Sequence, residues 1–88
     1  MTITSVKIRK ITEDAKMKAI VSITFDDQLA VHDIKVIAGS EKVFVAMPSR
    51  KMNDGHFVDI VHPINKELRE EIEREILREY YQLTESEI

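Results

Sequence analysis

The hydrophobic pattern of this chain changes its period once, at Pro63, and this change most constrains the fold. Before Pro63, apolar and polar residues alternate, most clearly over residues 4–11 and 17–25, and a two-residue period is typical of β-strands. After Pro63, apolar residues recur every three or four positions as far as Leu83, which is the period of a helix. The sequence therefore predicts an α+β fold in which a twisted antiparallel sheet precedes one long C-terminal α-helix.

Local signals set the boundaries of these elements. We expect about five strands over residues 2–62 and one helix over roughly residues 66–83, followed by a short flexible tail at 84–88. Asn65 should cap the helix, because its side chain can accept a hydrogen bond from a backbone amide of the first turn. One apolar stripe at helical spacing should then cover the sheet. It comprises Ile64, Leu68, Ile72, Ile76, Leu77, Tyr80 and Leu83.

The first two strands should pair as a hairpin whose turn is Thr12-Glu13-Asp14-Ala15. In that register Val6 faces Val21 and Ile8 faces Ala19, which brings the apolar faces of the two strands together. The opposite face of the hairpin is then basic. Its basic side chains are Lys7, Arg9, Lys16 and Lys18.

A second hairpin is predicted around Asn53-Asp54-Gly55, where glycine supplies the positive φ that such turns need. Pro48 should end or interrupt the preceding strand, because proline cannot donate a ladder hydrogen bond. With a two-residue turn, Arg50 would face Asp59 across this hairpin. A surface ion pair of that kind contributes only ~0–1 kcal/mol, so a phosphate could displace it.

Two segments, residues 29–37 and 43–47, carry apolar residues on both faces of a strand. One helix can cover only one face of a sheet, so a second copy of the chain should cover the remainder. We therefore expect a homodimer formed by strand addition or exchange across a two-fold axis.

Length and composition restrict the possible functions. A chain of 88 residues corresponds to one domain, residues 1–88, with a core too small for a large enclosed active site. The chain contains no cysteine, which excludes disulfides, thiolate zinc sites and cysteine nucleophiles. No apolar run approaches the ~20 residues of a membrane span, and residues 1–7 lack the apolar stretch of a signal peptide. We expect a cytoplasmic protein without a membrane partner.

The histidines offer little support for catalysis or metal binding. His32 and Asp33 are adjacent on a predicted strand, so they should point to opposite faces and form no dyad. His62 could meet Asp33 or Asp59, but no spacing in the chain matches a zinc, calcium or triad signature. We expect no enzyme activity, no cofactor, no metal site and no small-molecule substrate.

Charge is distributed unevenly, although the net charge is −3. Residues 1–63 hold nine Lys or Arg against eight Asp or Glu, whereas residues 64–88 hold four against eight. The sheet can therefore carry a basic surface while the helix is acidic. Lysines on an exposed strand can also serve only to prevent edge-to-edge aggregation, and the basic surface has no interleaved aromatic residues.

Three segments together resemble the stage V sporulation protein G family, SpoVG. They are Val31-His32-Asp33-Ile34-Lys35-Val36-Ile37, Phe44-Val45-Ala46-Met47-Pro48-Ser49-Arg50-Lys51 and Asp59-Ile60-Val61-His62-Pro63-Ile64. The similarity runs from Val6 to about Tyr80. It implies a twisted antiparallel sheet with a C-terminal helix, a strand-mediated dimer, and binding of DNA and RNA by a small cytosolic protein linked to septation, sporulation and gene control. The family's basic segment falls on Arg50 and Lys51, in the order Arg-Lys where Lys-Arg is usual.

Two functions follow as hypotheses. The first is a nucleic-acid-binding regulator that contacts DNA and RNA through Arg50 and Lys51, with an extended basic face. That face comprises Lys7, Arg9, Lys16 and Lys18. The alternative is a protein-interaction module of the division machinery that does not bind nucleic acid directly. Salt dependence of binding distinguishes the two, because phosphate contacts release counterions and apolar interfaces do not.

Overall fold

A computed structural model describes residues 1–13 and 16–84 of the chain. The α+β prediction is confirmed: an antiparallel sheet precedes one C-terminal helix. The elements are β1 (Ile3–Ile11), β2 (Met17–Phe25), β3 (Leu29–Ala38), β4 (Val43–Ala46), β5 (Ser49–Lys51), β6 (Phe57–Asp59) and α1 (Lys66–Thr84). Across these described residues, no helix is both long and apolar enough to cross a membrane.

The strands form two separate sheets where about five strands in one sheet were expected. Strands β1 to β4 make a four-stranded sheet in sequential order, and β5 and β6 make a two-stranded ribbon. The break falls at Pro48, which is buried between β4 and β5 and has no amide hydrogen for a sheet ladder. Its carbonyl instead accepts a hydrogen bond from the Ile60 amide at 2.8 Å, which closes the base of the ribbon. We call residues 49–59 the arm.

The core lies between α1 and one face of the four-stranded sheet, which we call the inner face. The helix contributes Ile72, Ile76 and Tyr80, and Ile76 is fully buried. Burial of such a side chain stabilises the fold by about 1.5–3 kcal/mol. The sheet residues of this core are Ala19, Val21, Ile23, Phe25, Val31, Ile34 and Val36.

The predicted helix is confirmed in position and in its cap. Asn65 Oδ1 accepts a hydrogen bond from the Leu68 amide at 2.7 Å, so one exposed donor of the first turn is satisfied. The apolar stripe is shorter than predicted, because Ile64 precedes the helix and is 91% exposed, and Leu83 is 53% exposed. Thr84 belongs to the helix, and the predicted tail at 85–88 lies outside the described residues.

The first hairpin has a different register from the predicted one. Val6 pairs with Ile23 and Ile8 with Val21, a shift of two residues that keeps the apolar side chains on one face. The connection is longer than four residues, because the Thr12 amide already bonds to the Lys18 carbonyl at 2.9 Å. Asp14 and Ala15 of the predicted turn lie outside the described residues.

Candidate nucleic-acid interface

The face of the four-stranded sheet away from α1, which we call the outer face, carries several basic side chains. Lys10 pairs with Ile20, and Ile20 pairs with Lys35, so these residues form one row across three strands. Lys7 pairs with Ser22 in the next row. Neighbouring strands are ~4.8 Å apart, so Lys10 and Lys35 lie within about 10 Å of each other.

Bulges decide which lysines and arginines share the outer face. Arg9 falls in the bulge between Ile8 and Lys10, and strict alternation ends there. Strict alternation would place Lys10 on the same face as Ile8, and neither Lys10 nor Lys35 was predicted to belong to the basic face. Each of the two lies directly opposite Ile20 in the observed register.

The other two predicted basic residues lie at the start of β2. Lys18 is half-buried at a register shift between Met17 and Ala19. Lys16 precedes the strand, is exposed, and accepts a hydrogen bond through its carbonyl from the Ala38 amide at 2.7 Å. The hairpin thus does not present its four predicted basic side chains as one flat row.

Arg50 and Lys51 lie on the first strand of the arm, and both side chains are exposed. The predicted pairing of Arg50 with Asp59 is wrong: Arg50 lies opposite Val58, and Asp59 lies opposite Ser49. Within residues 1–13 and 16–84, the ion pairs of the structure include neither Arg50 nor Lys51.

The loop at the arm tip explains this register. The Met52 amide bonds to the His56 carbonyl at 2.8 Å, which leaves a three-residue loop, Asn53 to Gly55, in place of the two-residue turn. Gly55 has a φ of +97°, a conformation that side chains disfavour. Asp54 Oδ1 accepts a hydrogen bond from the His56 amide at 3.2 Å and lies 2.5 Å from the ring Nδ1 of His56. The carboxylate nearest the tip is therefore engaged with His56.

The arm and the segment that follows it also expose apolar side chains. Residues 51–62 are all exposed, and Phe57 is 66% and Ile60 65% exposed. Exposed apolar side chains that cluster in one region of a protein surface often form interaction sites. The exposed apolar side chains of this region are Met52, Phe57, Val58, Ile60, Val61 and Ile64.

The histidines have structural hydrogen bonds. Ser22 Oγ and His32 Nδ1 share a hydrogen bond at 2.7 Å, and His62 Nδ1 donates to the Pro63 carbonyl at 3.1 Å. The argument that His32 and Asp33 point to opposite faces fails, because a bulge with Asp33 at a φ of +65° interrupts β3 there. Both residues are exposed. Among the described residues, no cluster of three or more His, Asp or Glu side chains could hold a metal ion.

The family model SpoVG matches residues 1–82. The chain belongs to the SpoVG family. It is 62% identical over 80 residues to a "Putative septation protein SpoVG" of Clostridium perfringens, covering 91% of this chain and 89% of that protein. A protein of the same name from Thermoanaerobacter sp. is 53% identical over 87 residues, covering 99% of this chain and 95% of the relative.

The three segments that carry the SpoVG resemblance meet around the base of the arm. Residues 31–37 lie on β3, residues 44–51 span β4 and β5, and residues 59–64 lead from β6 towards α1. An apolar cavity of about 160 Å³ there is lined by residues of each segment, including Val31, Met47 and Val61. The segments that resemble SpoVG thus form the base of the arm, and one of them also contains Arg50 and Lys51.

Proposed function

We propose that this SpoVG-family chain is a non-enzymatic regulator of septation, sporulation and gene expression that binds DNA and RNA. In this proposal Arg50 and Lys51 of the arm make the principal phosphate contacts, and the hairpin of β1 and β2 adds further contacts. The additional contacts come from Lys7, Arg9, Lys16 and Lys18.

One observation carries this proposal: Arg50 and Lys51 are exposed, with apolar cross-strand partners in the arm. Lys51 lies opposite Phe57 and Arg50 opposite Val58, so neither faces a carboxylate across the strands. A phosphate would therefore not have to displace a cross-strand ion pair. Charge-assisted hydrogen bonds from Arg and Lys to phosphate oxygens are among the stronger polar contacts that proteins make.

The arrangement of charge between the two layers supports the same orientation. Helix α1 carries six glutamates and covers the inner face, whereas Lys7, Lys10 and Lys35 lie on the outer face. The bulge of β3 adds an exposed acidic residue, Asp33. A polyanion would approach the outer face and the arm, because the helical glutamates would repel it from the other side.

We also propose that two copies of the chain assemble through their arms. The support is the exposed apolar surface of the arm and of the segment that follows it, where Phe57 and Ile60 are each about two-thirds exposed. A dimer would present the Arg50 and Lys51 pair twice, and two linked weak sites raise the overall affinity without any base-specific contact. The same apolar surface favours the alternative function, a protein-interaction module of the septation machinery without direct nucleic-acid binding.

A binding titration of the full chain with a DNA duplex and with an RNA, each at two salt concentrations, tests the nucleic-acid proposal. The informative variant replaces Arg50 and Lys51 by Ala. Its matched control replaces Lys66 and Arg69 by Ala, which removes one Lys and one Arg from the start of α1 instead. The arm variant should bind all sequences more weakly, and for the duplex the slope of log K against log salt should become less steep by about 2 for each arm that contacts the DNA.

Each outcome distinguishes the candidates. If the helix control binds like the parent and the arm variant does not, the arm assignment is supported. If the arm variant binds as tightly as the parent, that assignment is wrong and the outer face becomes the candidate. If the parent shows no salt-dependent binding to DNA or RNA, the protein-interaction function is favoured.

A further inference from the structure

An open depression lies beside the edge strand β4. It has a volume of about 420 Å³, and its walls are Phe44 and the turn from Gly39 to Lys42. A Cβ at Gly39 would lie 3.1 Å from Phe44 Cε1 and 2.9 Å from the Lys42 carbonyl oxygen. The turn can therefore approach the aromatic ring closely only because residue 39 has no side chain.

The Phe44 ring is not part of the hydrophobic core. Its neighbours Val43 and Val45 pack against the core, whereas Phe44 pairs with Ile37 on the outer face and is 37% exposed. An exposed aromatic ring that forms one wall of a depression offers a surface on which a planar group can stack.

Basic side chains lie on the same face as this ring. Lys35 pairs with Ala46 and is thus the diagonal neighbour of Phe44, at ~7–8 Å between the backbones. Lys10 continues the same row two strands away, and Lys42 lines the depression itself. Glu41 also lines the depression and is the acidic member of its rim.

We propose that this depression holds one unpaired base of a nucleic-acid strand, stacked on Phe44, while Lys35 and Lys10 contact the adjoining phosphates. The proposal rests on the nucleic-acid function proposed above and adds the class of ligand, a strand with unstacked bases. A base within a duplex is stacked between its neighbours and is not available to Phe44, whereas bases of a single strand are. A volume of about 420 Å³ falls in the usual range for small-ligand sites, ~300–1,000 Å³.

The test compares Phe44→Leu with Phe44→Tyr in the full chain. Leucine keeps an apolar contact with Ile37 but removes the ring, and tyrosine keeps the ring. The probes are an oligonucleotide containing 2-aminopurine, whose fluorescence is quenched by stacking, and the duplex of the same sequence. Phe44→Leu should weaken single-strand binding about tenfold and abolish the quenching by protein, with duplex affinity unchanged. Phe44→Tyr should behave like the parent. Circular dichroism checks that both variants are folded.

Several results would overturn the proposal. Equal single-strand affinity for the parent and Phe44→Leu would refute base stacking while leaving the Arg50 and Lys51 function intact. If Phe44→Leu lost the same affinity for the single strand as for the duplex, the ring would not select unpaired bases. The same would follow if Phe44→Leu and Phe44→Tyr lost the same affinity for the single strand. If Phe44→Leu had a lower mass than the parent in light scattering, Phe44 would be identified as a contact between subunits. A parent that binds neither probe would refute both proposals.

Discussion

Arg50 lies directly opposite Val58 across the arm, so its guanidinium group faces no carboxylate in the neighbouring strand. Val58 is 43% exposed, and residues 51–62 around it are exposed throughout. The pairing places a cation beside an exposed apolar side chain, and among the described residues no ion pair engages the Arg50 guanidinium. The pairing with Val58 leaves the guanidinium charge of Arg50 available for a ligand.

This relationship can be tested by placing a carboxylate opposite Arg50. Val58→Glu should create a cross-strand ion pair of about 0.2–1 kcal/mol, which a phosphate must then displace. We expect nucleic-acid affinity to fall about two- to fivefold at fixed salt. Val58→Gln has nearly the same shape without the charge and should bind like the parent. Equal affinities of the Glu and Gln variants would contradict a role for the Arg50 charge.

The second prediction concerns the local stability of the arm and follows from the conformation of its tip. Gly55 has a φ of +97° and open space around the position of a Cβ, so Gly55→Ala would act through backbone strain alone. The strain is about 1–2 kcal/mol, which should raise the local opening of the arm at least fivefold.

Hydrogen exchange can measure this local opening. The Met52 and Ile60 amides, which bond to the carbonyls of His56 and Pro48, should exchange faster in Gly55→Ala. The amides of the buried residues Val21 and Ile76 should keep their protection, because the arm is a separate ribbon. Faster exchange at every site would mean that the arm and the core unfold together.

The sequence predicted the parts of the fold that depend on local chemistry. The helix and its Asn65 cap follow from residue spacing and from one side-chain acceptor. Most of the inner face was also predictable, because the expected and observed registers differ by two residues as far as the bulge at Arg9, and an even shift leaves each side chain on its face. Pro48 correctly marked the end of a strand.

The predictions that failed concern features of the fold that hydrophobic periodicity does not encode. The bulges at Arg9 and Asp33 change the alternation, which hid Lys10 and invalidated the argument about His32. The partner of Arg50 depends on whether the loop has two residues or three, and the Asn53-Asp54-Gly55 pattern fits both. The depression beside Phe44 requires the turn at Gly39 to fold back on the ring, a contact between residues that only the folded backbone brings together.

The third prediction concerns assembly through the arm and the segment that follows it. Ile60 is 65% exposed, and a second copy would bury it together with the other apolar side chains of this region. Ile60→Glu would place a carboxylate in that interface, and burial of an unpaired charge costs several kcal/mol. In light scattering at micromolar concentration, the parent should have the mass of two chains and Ile60→Glu the mass of one.

Leu83→Glu makes a comparable apolar-to-acid change at a side chain that is 53% exposed on α1, so it should leave the dimer mass unchanged. Circular dichroism should show the same secondary structure in all three proteins, because neither position belongs to the core. A parent with the mass of one chain would refute the dimer, and an Ile60→Glu variant that remains dimeric would show that Ile60 does not belong to the interface.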